Sequence, residues 1–123
     1  MGTWSKNFDL SEVACKGENC CGHSTPMNTI LRDSLQLLRD VMNMPIIITS
    51  GFRCNKHNAE TPGAKTNSYH TKGLAVDIKC ADMERLYFFA KKLFSYVKKY
   101  YDKNGKIIRL HVDLRILQTK LKI

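Results

Sequence analysis

Residues 68–78 read Ser-Tyr-His-Thr-Lys-Gly-Leu-Ala-Val-Asp-Ile, and residues 107–115 read Ile-Ile-Arg-Leu-His-Val-Asp-Leu-Arg. Both segments alternate apolar with polar residues, the period of a half-buried strand. The polar residues that fall on this alternation constrain the chain most. In the first segment Leu74, Val76 and Ile78 share one face, Ala75 and Asp77 the other, and His70 lies just upstream of Gly73. In the second, Ile108, Leu110, Val112 and Leu114 share one face, and Arg109, His111 and Asp113 the other. If the two strands are neighbours, Asp77 and His111 point into one groove, and Gly73 permits the tight approach that brings in His70. Two imidazoles and one carboxylate form a three-ligand set for zinc, with a fourth position left for water. Structural zinc sites are usually closed by four protein ligands, so the open His70/Asp77/His111 set points to catalysis. A single strand histidine is more often a hydrogen-bonded or surface residue. His-x6-Asp followed by a later His-x-Asp on alternating strands is much harder to obtain by chance.

The remaining elements are expected around this pair. Met27, Ile30, Leu31, Leu35, Leu37, Leu38 and Val41 form an amphipathic stripe that predicts a helix over 27–42, started by Ser24-Thr25-Pro26. Ile46-Ile47-Ile48-Thr49 reads as a short buried strand. A long polar loop, 50–68, carries Arg53, Asn55, His57 and Asn58. Asp82 is a candidate N-cap for a helix reaching Tyr101, with Met83, Leu86, Phe89, Ala90, Leu93, Phe94 and Val97 buried. Asn104-Gly105 marks a turn before the 107–114 strand, and residues 116–123 alternate weakly as a last edge strand. Phe8, Leu10 and Val13 are expected to anchor the N-terminal arm.

A chain of 123 residues fits one domain, 1–123, with a core large enough to need no disulfide staple. No apolar run approaches the ~20 residues of a membrane span, and residues 1–10 lack the apolar core of a secretory signal. The expectation is a protein made in the cytoplasm, without membrane association. The net charge of +9 favours anionic partners, although a solvated basic helix face explains it equally well. Nucleic acid is not expected, since no phosphate loop, zinc-finger spacing or paired aromatics accompany the charge. The five cysteines cannot all pair within one chain, and free thiols are the default. Cys15, Cys20, Cys21 and His23 could hold a second zinc with Cys54 or His57, but their spacings match no known finger or ribbon.

Ser-x-His-x-x-Gly-x-Ala-x-Asp, here Ser68, His70, Gly73, Ala75 and Asp77, resembles the signature of the zinc D-alanyl-D-alanine carboxypeptidase-like peptidases. That group includes wall carboxypeptidases, vancomycin-resistance dipeptidases and phage endolysins, and shares its fold with the hedgehog signalling domain. The similarity extends to Phe8–Ala14, Pro45–Arg53, Asn58, Gly63-Ala64 and His111–Arg115. It implies an α+β fold, a small antiparallel sheet with two main helices packed against it and the metal site on the sheet. It also implies Zn2+ on His70, Asp77 and His111, and Arg53 as the substrate-contacting arginine, with Phe52 where the motif has tyrosine. Arg53 could instead brace the long loop.

Several branches of the family carry Glu or Asp three residues before the third ligand as general base. Ile108 stands there, and Arg109 cannot accept a proton. Asp113 is the nearest carboxylate, either as base or as a residue that orients a ligand, and His57 is a further acid–base candidate. The resemblance implies a monomeric zinc metallopeptidase cutting D-amino-acid-containing peptides of peptidoglycan at the cell wall, possible in a phage setting. The competing reading is a non-catalytic zinc-binding module of the same fold, used for wall or partner binding.

Overall fold

The computed structural model describes residues 2–15, 27–54, 58–59 and 68–116. Among the described residues, the α-helices α1 (Leu10–Val13), α2 (Thr29–Met42) and α3 (Met83–Leu93) accompany four strands. The strands are β1 (Ile47–Ser50), β2 (Ala75–Lys79), β3 (Tyr96–Tyr101) and β4 (Ile107–Asp113), with a 3-10 turn at Tyr69–Lys72. The sheet is antiparallel throughout, in the order β1-β2-β4-β3. This is the expected α+β architecture. No helix among the described residues is long and apolar enough to cross a membrane.

α2 begins where the Asn28 side chain accepts hydrogen bonds from the Ile30 and Leu31 amides. It ends at Asn43, which adopts a left-handed conformation with φ 50°. Its buried stripe is Leu31, Leu35, Leu38 and Met42, none of them exposed at all. Truncating any of these leucines to alanine would cost about 2–5 kcal/mol. The broader stripe expected from sequence is corrected here, because Ile30, Leu37 and Val41 lie on the solvent side. The helix start expected at residues 24–26 lies outside the described residues. Opposite α2, the sheet offers Ile48, Val76, Ile78, Leu110 and Val112, and α3 adds Leu86 and Ala90 to the same core. Phe8 and Val13 anchor the arm as expected, whereas Leu10 is exposed. Gln36 of α2 clamps the arm, accepting from Ser5 and donating to Asn7.

The helix expected to run from Asp82 to Tyr101 is two elements. Asp82 caps α3 through the Arg85 amide, but the helix stops at Leu93 and residues 96–101 form β3. Tyr96-Val-Lys-Lys-Tyr-Tyr101 is rich in residues that suit a strand. Ser95 docks this strand by donating through both its amide and its hydroxyl to the Asp113 carbonyl. Val97 packs against the core from the strand, and its place in a helical stripe asks for the same burial, so periodicity could not separate the two. The Asn104-Gly105 turn then closes a β3–β4 hairpin. Residue 116 belongs to a helical turn rather than the expected edge strand, and residues 117–123 lie outside the described residues.

Two bulges shape the sheet. Between Ile48 and Ser50 the register with β2 slips past Thr49, whose hydroxyl is buried with no hydrogen-bond partner among the described residues. Burying an unpaired hydroxyl costs about 1–3 kcal/mol. Thr49→Val, which keeps the shape, is therefore expected to raise the melting temperature by several degrees in calorimetry. The second bulge excludes Ile108 from pairing, since Tyr100 faces Arg109 and Tyr101 faces Ile107. Ile108 is 41% exposed, a correction to its expected place on the apolar face.

Candidate metal centre

Asp77 and His111 are direct cross-strand partners on the two inner strands, β2 and β4. Each rises from backbone paired on both sides, which is the fixed support a metal ligand needs. His70 arrives from the 3-10 turn. Ser68 caps that turn by accepting the His70 amide, and Gly73 ends it at φ 69°, where a Cβ would cost about 1–2 kcal/mol. His70 is 2% exposed and Asp77 7%. His70 Nε2 lies 3.2 Å and His111 Nδ1 3.1 Å from the same oxygen, Asp77 Oδ1. One donor atom from each residue lies within 4.8 Å of the other two. Zinc bonds of ~2.0–2.1 Å in a tetrahedron separate ligand atoms by ~3.3–3.4 Å, so the two distances to Asp77 are nearly at metal-binding spacing.

The outer edges of the imidazoles fix what the inner edges present. His70 Nδ1 donates to the Gly51 carbonyl at 2.8 Å, and His111 Nε2 to Asp113 Oδ2 at 2.7 Å. These acceptors hold the protons outward, which in the neutral rings aims both lone pairs at the Asp77 carboxylate. Lone pairs facing an anion at this range repel unless a proton or cation lies between them. The donor set therefore fits a divalent ion.

Asp113 is completely buried and takes its second partner from Arg115, whose Nε and Nη2 both donate to the carboxylate. The Arg115 guanidinium in turn lies between the rings of Tyr96, at 3.6 Å, and Tyr69, at 4.7 Å. Sequence reasoning assigned no role to Arg115, although Asp-x-Arg on one strand face was the available signal. It also could not see the Gly51 carbonyl, a backbone group just past the β1 bulge.

Burial alone would push the Asp77 carboxyl up, but hydrogen bonds from His111 and His70 overcome it and hold the group well below the usual carboxylate range. Asp113 is likewise held down by His111 and Arg115 against its burial. Burial works to lower His111, yet its bonds to Asp113 and Asp77 win and the net shift is upward. A raised histidine stabilises the fold fully below its unfolded value, near 6.5, and that contribution disappears as pH rises through the folded value. Protein stripped by a chelator should thus lose melting temperature as pH climbs from about 6 to 8. Added zinc should show the opposite trend, its stabilising increment growing with pH because the ion must displace the His111 Nδ1 proton. Differential scanning calorimetry with and without zinc reads both slopes.

Of the other expected site residues, Arg53 is at the centre's edge. Its amide donates to the His70 carbonyl at 3.2 Å and its Nη2 to Ser68 Oγ at 3.3 Å. Its Nε is buried without a partner among the described residues. Desolvation lowers the Arg53 pKa, opposed first by the Asp77 charge. Arg109, on the site face of β4, brings Nε to 3.8 Å from Asp77 Oδ2. Asp113 reaches the far nitrogen of His111 and not the edge shared by the three donors. His57, Cys20, Cys21 and His23 lie outside the described residues.

The profile of one family, described as peptidase M15, matches residues 6–111, a span that contains His70, Asp77 and His111. No curated protein matches the chain. With a profile covering most of its length and a His-Asp-His group able to hold a metal ion, the chain belongs to the peptidase M15 family, whose members are metal-dependent, D-Ala-D-Ala carboxypeptidase-like peptidases.

Proposed function

We propose that the protein is a zinc peptidase that hydrolyses peptide bonds in bacterial peptidoglycan, next to a D-amino acid. The observation that supports this reading is the convergence of His70 Nε2 and His111 Nδ1 on Asp77 Oδ1, with the outer nitrogen of each ring set against an acceptor, the Gly51 carbonyl or the Asp113 carboxylate. A divalent ion bound by His70, Asp77 and His111 supplies Lewis acidity toward a substrate carbonyl and lowers the pKa of a water. The chain's own residues do the rest. His70 and Asp77 fix one side of the centre, and Asp113 positions His111 by holding its outer proton. Arg53, braced by Ser68 and with its Nε lacking a partner among the described residues, offers a cation to a substrate carboxylate or a developing oxyanion. The +9 charge suits an anionic wall, the site where the protein would act.

A second reading, a zinc-binding module without turnover, is favoured by two observations. Both Asp113 oxygens are engaged by His111 and Arg115, and the position that carries an acid in related branches is a bulged isoleucine. Purified wall peptides incubated with the zinc-loaded protein separate the two. New amine termini, located by mass spectrometry, are expected. Stoichiometric zinc with no cleavage at any pH from about 6 to 9 would leave the binding module as the better account.

A further inference from the structure

The sulfur atoms of Cys15 and Cys54 lie 3.7 Å apart. The two residues come from distant parts of the chain, brought together by backbone contacts just before each of them. The Phe52 amide donates to the Val13 carbonyl at 2.8 Å. A Cβ on Gly51 would fall 2.5 Å from Val13 Cα, so only glycine lets the segments approach this closely. The Cys54 amide points at Cys15 Sγ at 3.5 Å, a contact that favours the thiolate. Arg53 adds positive charge within electrostatic reach of Cys15.

Two thiolates bonded at ~2.3 Å to one tetrahedral ion stand ~3.8 Å apart, whereas disulfide sulfurs stand ~2.05 Å apart. The observed spacing is too long for a disulfide and equals the first arrangement, a distance that a thiol–thiol hydrogen bond also gives. We propose that Cys15 and Cys54 are two ligands of a second metal ion, of the thiolate-preferring class that includes zinc, separate from the His70/Asp77/His111 centre. Cys20, Cys21 and His23 lie outside the described residues, and the assignment rests on Cys15 and Cys54 alone. Bound there, the ion ties the N-terminal arm to the segment that carries both the Gly51 carbonyl and Arg53. It thereby closes a long loop whose ordering would otherwise cost entropy. Its function is to hold one wall of the first centre.

Protein purified under reductant, loaded with Co2+ and desalted tests this. Two cobalt ions per chain are expected, together with an intense near-ultraviolet thiolate-to-cobalt band that imidazole and carboxylate ligands do not produce. His70→Ala should lose one ion and keep the band, and Cys54→Ser should lose one ion and the band. Cys80→Ser, at a residue outside the pair, should change neither. An organomercurial added to the unsubstituted zinc protein should release one ion to a chromophoric chelator, a readout that does not require Cys54→Ser to fold. A single ion with no thiolate band would overturn the proposal. So would a Cys15–Cys54 disulfide in peptide maps of the reductant-purified protein. The His70→Ala arm fails independently if the first centre has been misread.

Discussion

His70→Ala is expected to bind one metal ion fewer per chain than the unsubstituted protein and to lose all peptidase activity. Structural zinc sites with four protein ligands bind with apparent free energies of ~10–16 kcal/mol, so each ligand carries ~2.5–4 kcal/mol. Removing one of three would weaken the ion by ~10²–10³-fold. The loss should be local. His70 sits on a 3-10 turn outside the sheet, and the core formed by α2, α3 and the inner strands does not include its side chain. The far-ultraviolet spectrum should therefore remain native while inductively coupled plasma mass spectrometry shows the missing ion. The Gly51 carbonyl, released from His70 Nδ1, can take a water in the space left by the ring. Retention of the ion at unaltered affinity would remove His70 from the ligand set, and with it the basis for reading this sheet face as a hydrolytic centre.

The ligands were legible because strands impose a strict two-residue period. Asp77 and His111 lie on alternating segments, and alternation alone placed them on the side of the sheet away from Leu110 and Val112. Their direct pairing also depends on β2 and β4 being neighbours, which no local pattern specifies. β3 was hidden for a related reason. Phe94 and Val97 fit a helical stripe, and only pairing with β4 decides that residues 96–101 are extended. The bulges at Thr49 and Ile108 were invisible because each is a register slip between strands and leaves no mark on either strand alone. Just past the first of these, the Gly51 carbonyl orients His70, a role that carries no side-chain signature. Arg115 has no role that the sequence alone assigns, because neither reading of Asp113, as base or as a residue that orients a ligand, shows that this carboxylate is buried and takes a counter-charge two residues on.

Asp113→Asn is the substitution that best tells a base from a positioning residue. A general base lost from the reaction would leave zinc affinity unchanged and abolish turnover at every zinc concentration. The geometry leads to a different expectation. Asp113 Oδ2 holds the His111 Nε2 proton at 2.7 Å, and the carboxylate is itself gripped by Arg115. Asparagine keeps the shape but cannot match that charge-assisted acceptor, so His111 becomes a poorer ligand. Losing such an outer partner typically costs 10–100-fold in metal affinity. Activity should therefore fall at limiting zinc and recover largely when zinc is raised by about the same factor, with the acidic limb of the pH profile displaced as His111 loses the bond that raises it. Asp113→Ala should be harsher, because it leaves the Arg115 charge without its partner, at a cost in stability below the ~3–5 kcal/mol of a fully buried pair since the Arg115 side chain is 38% exposed. Zinc-dependent rescue of Asp113→Asn places this carboxylate behind the ligand, and full inactivity at saturating zinc, with normal metal content, would return it to the role of base.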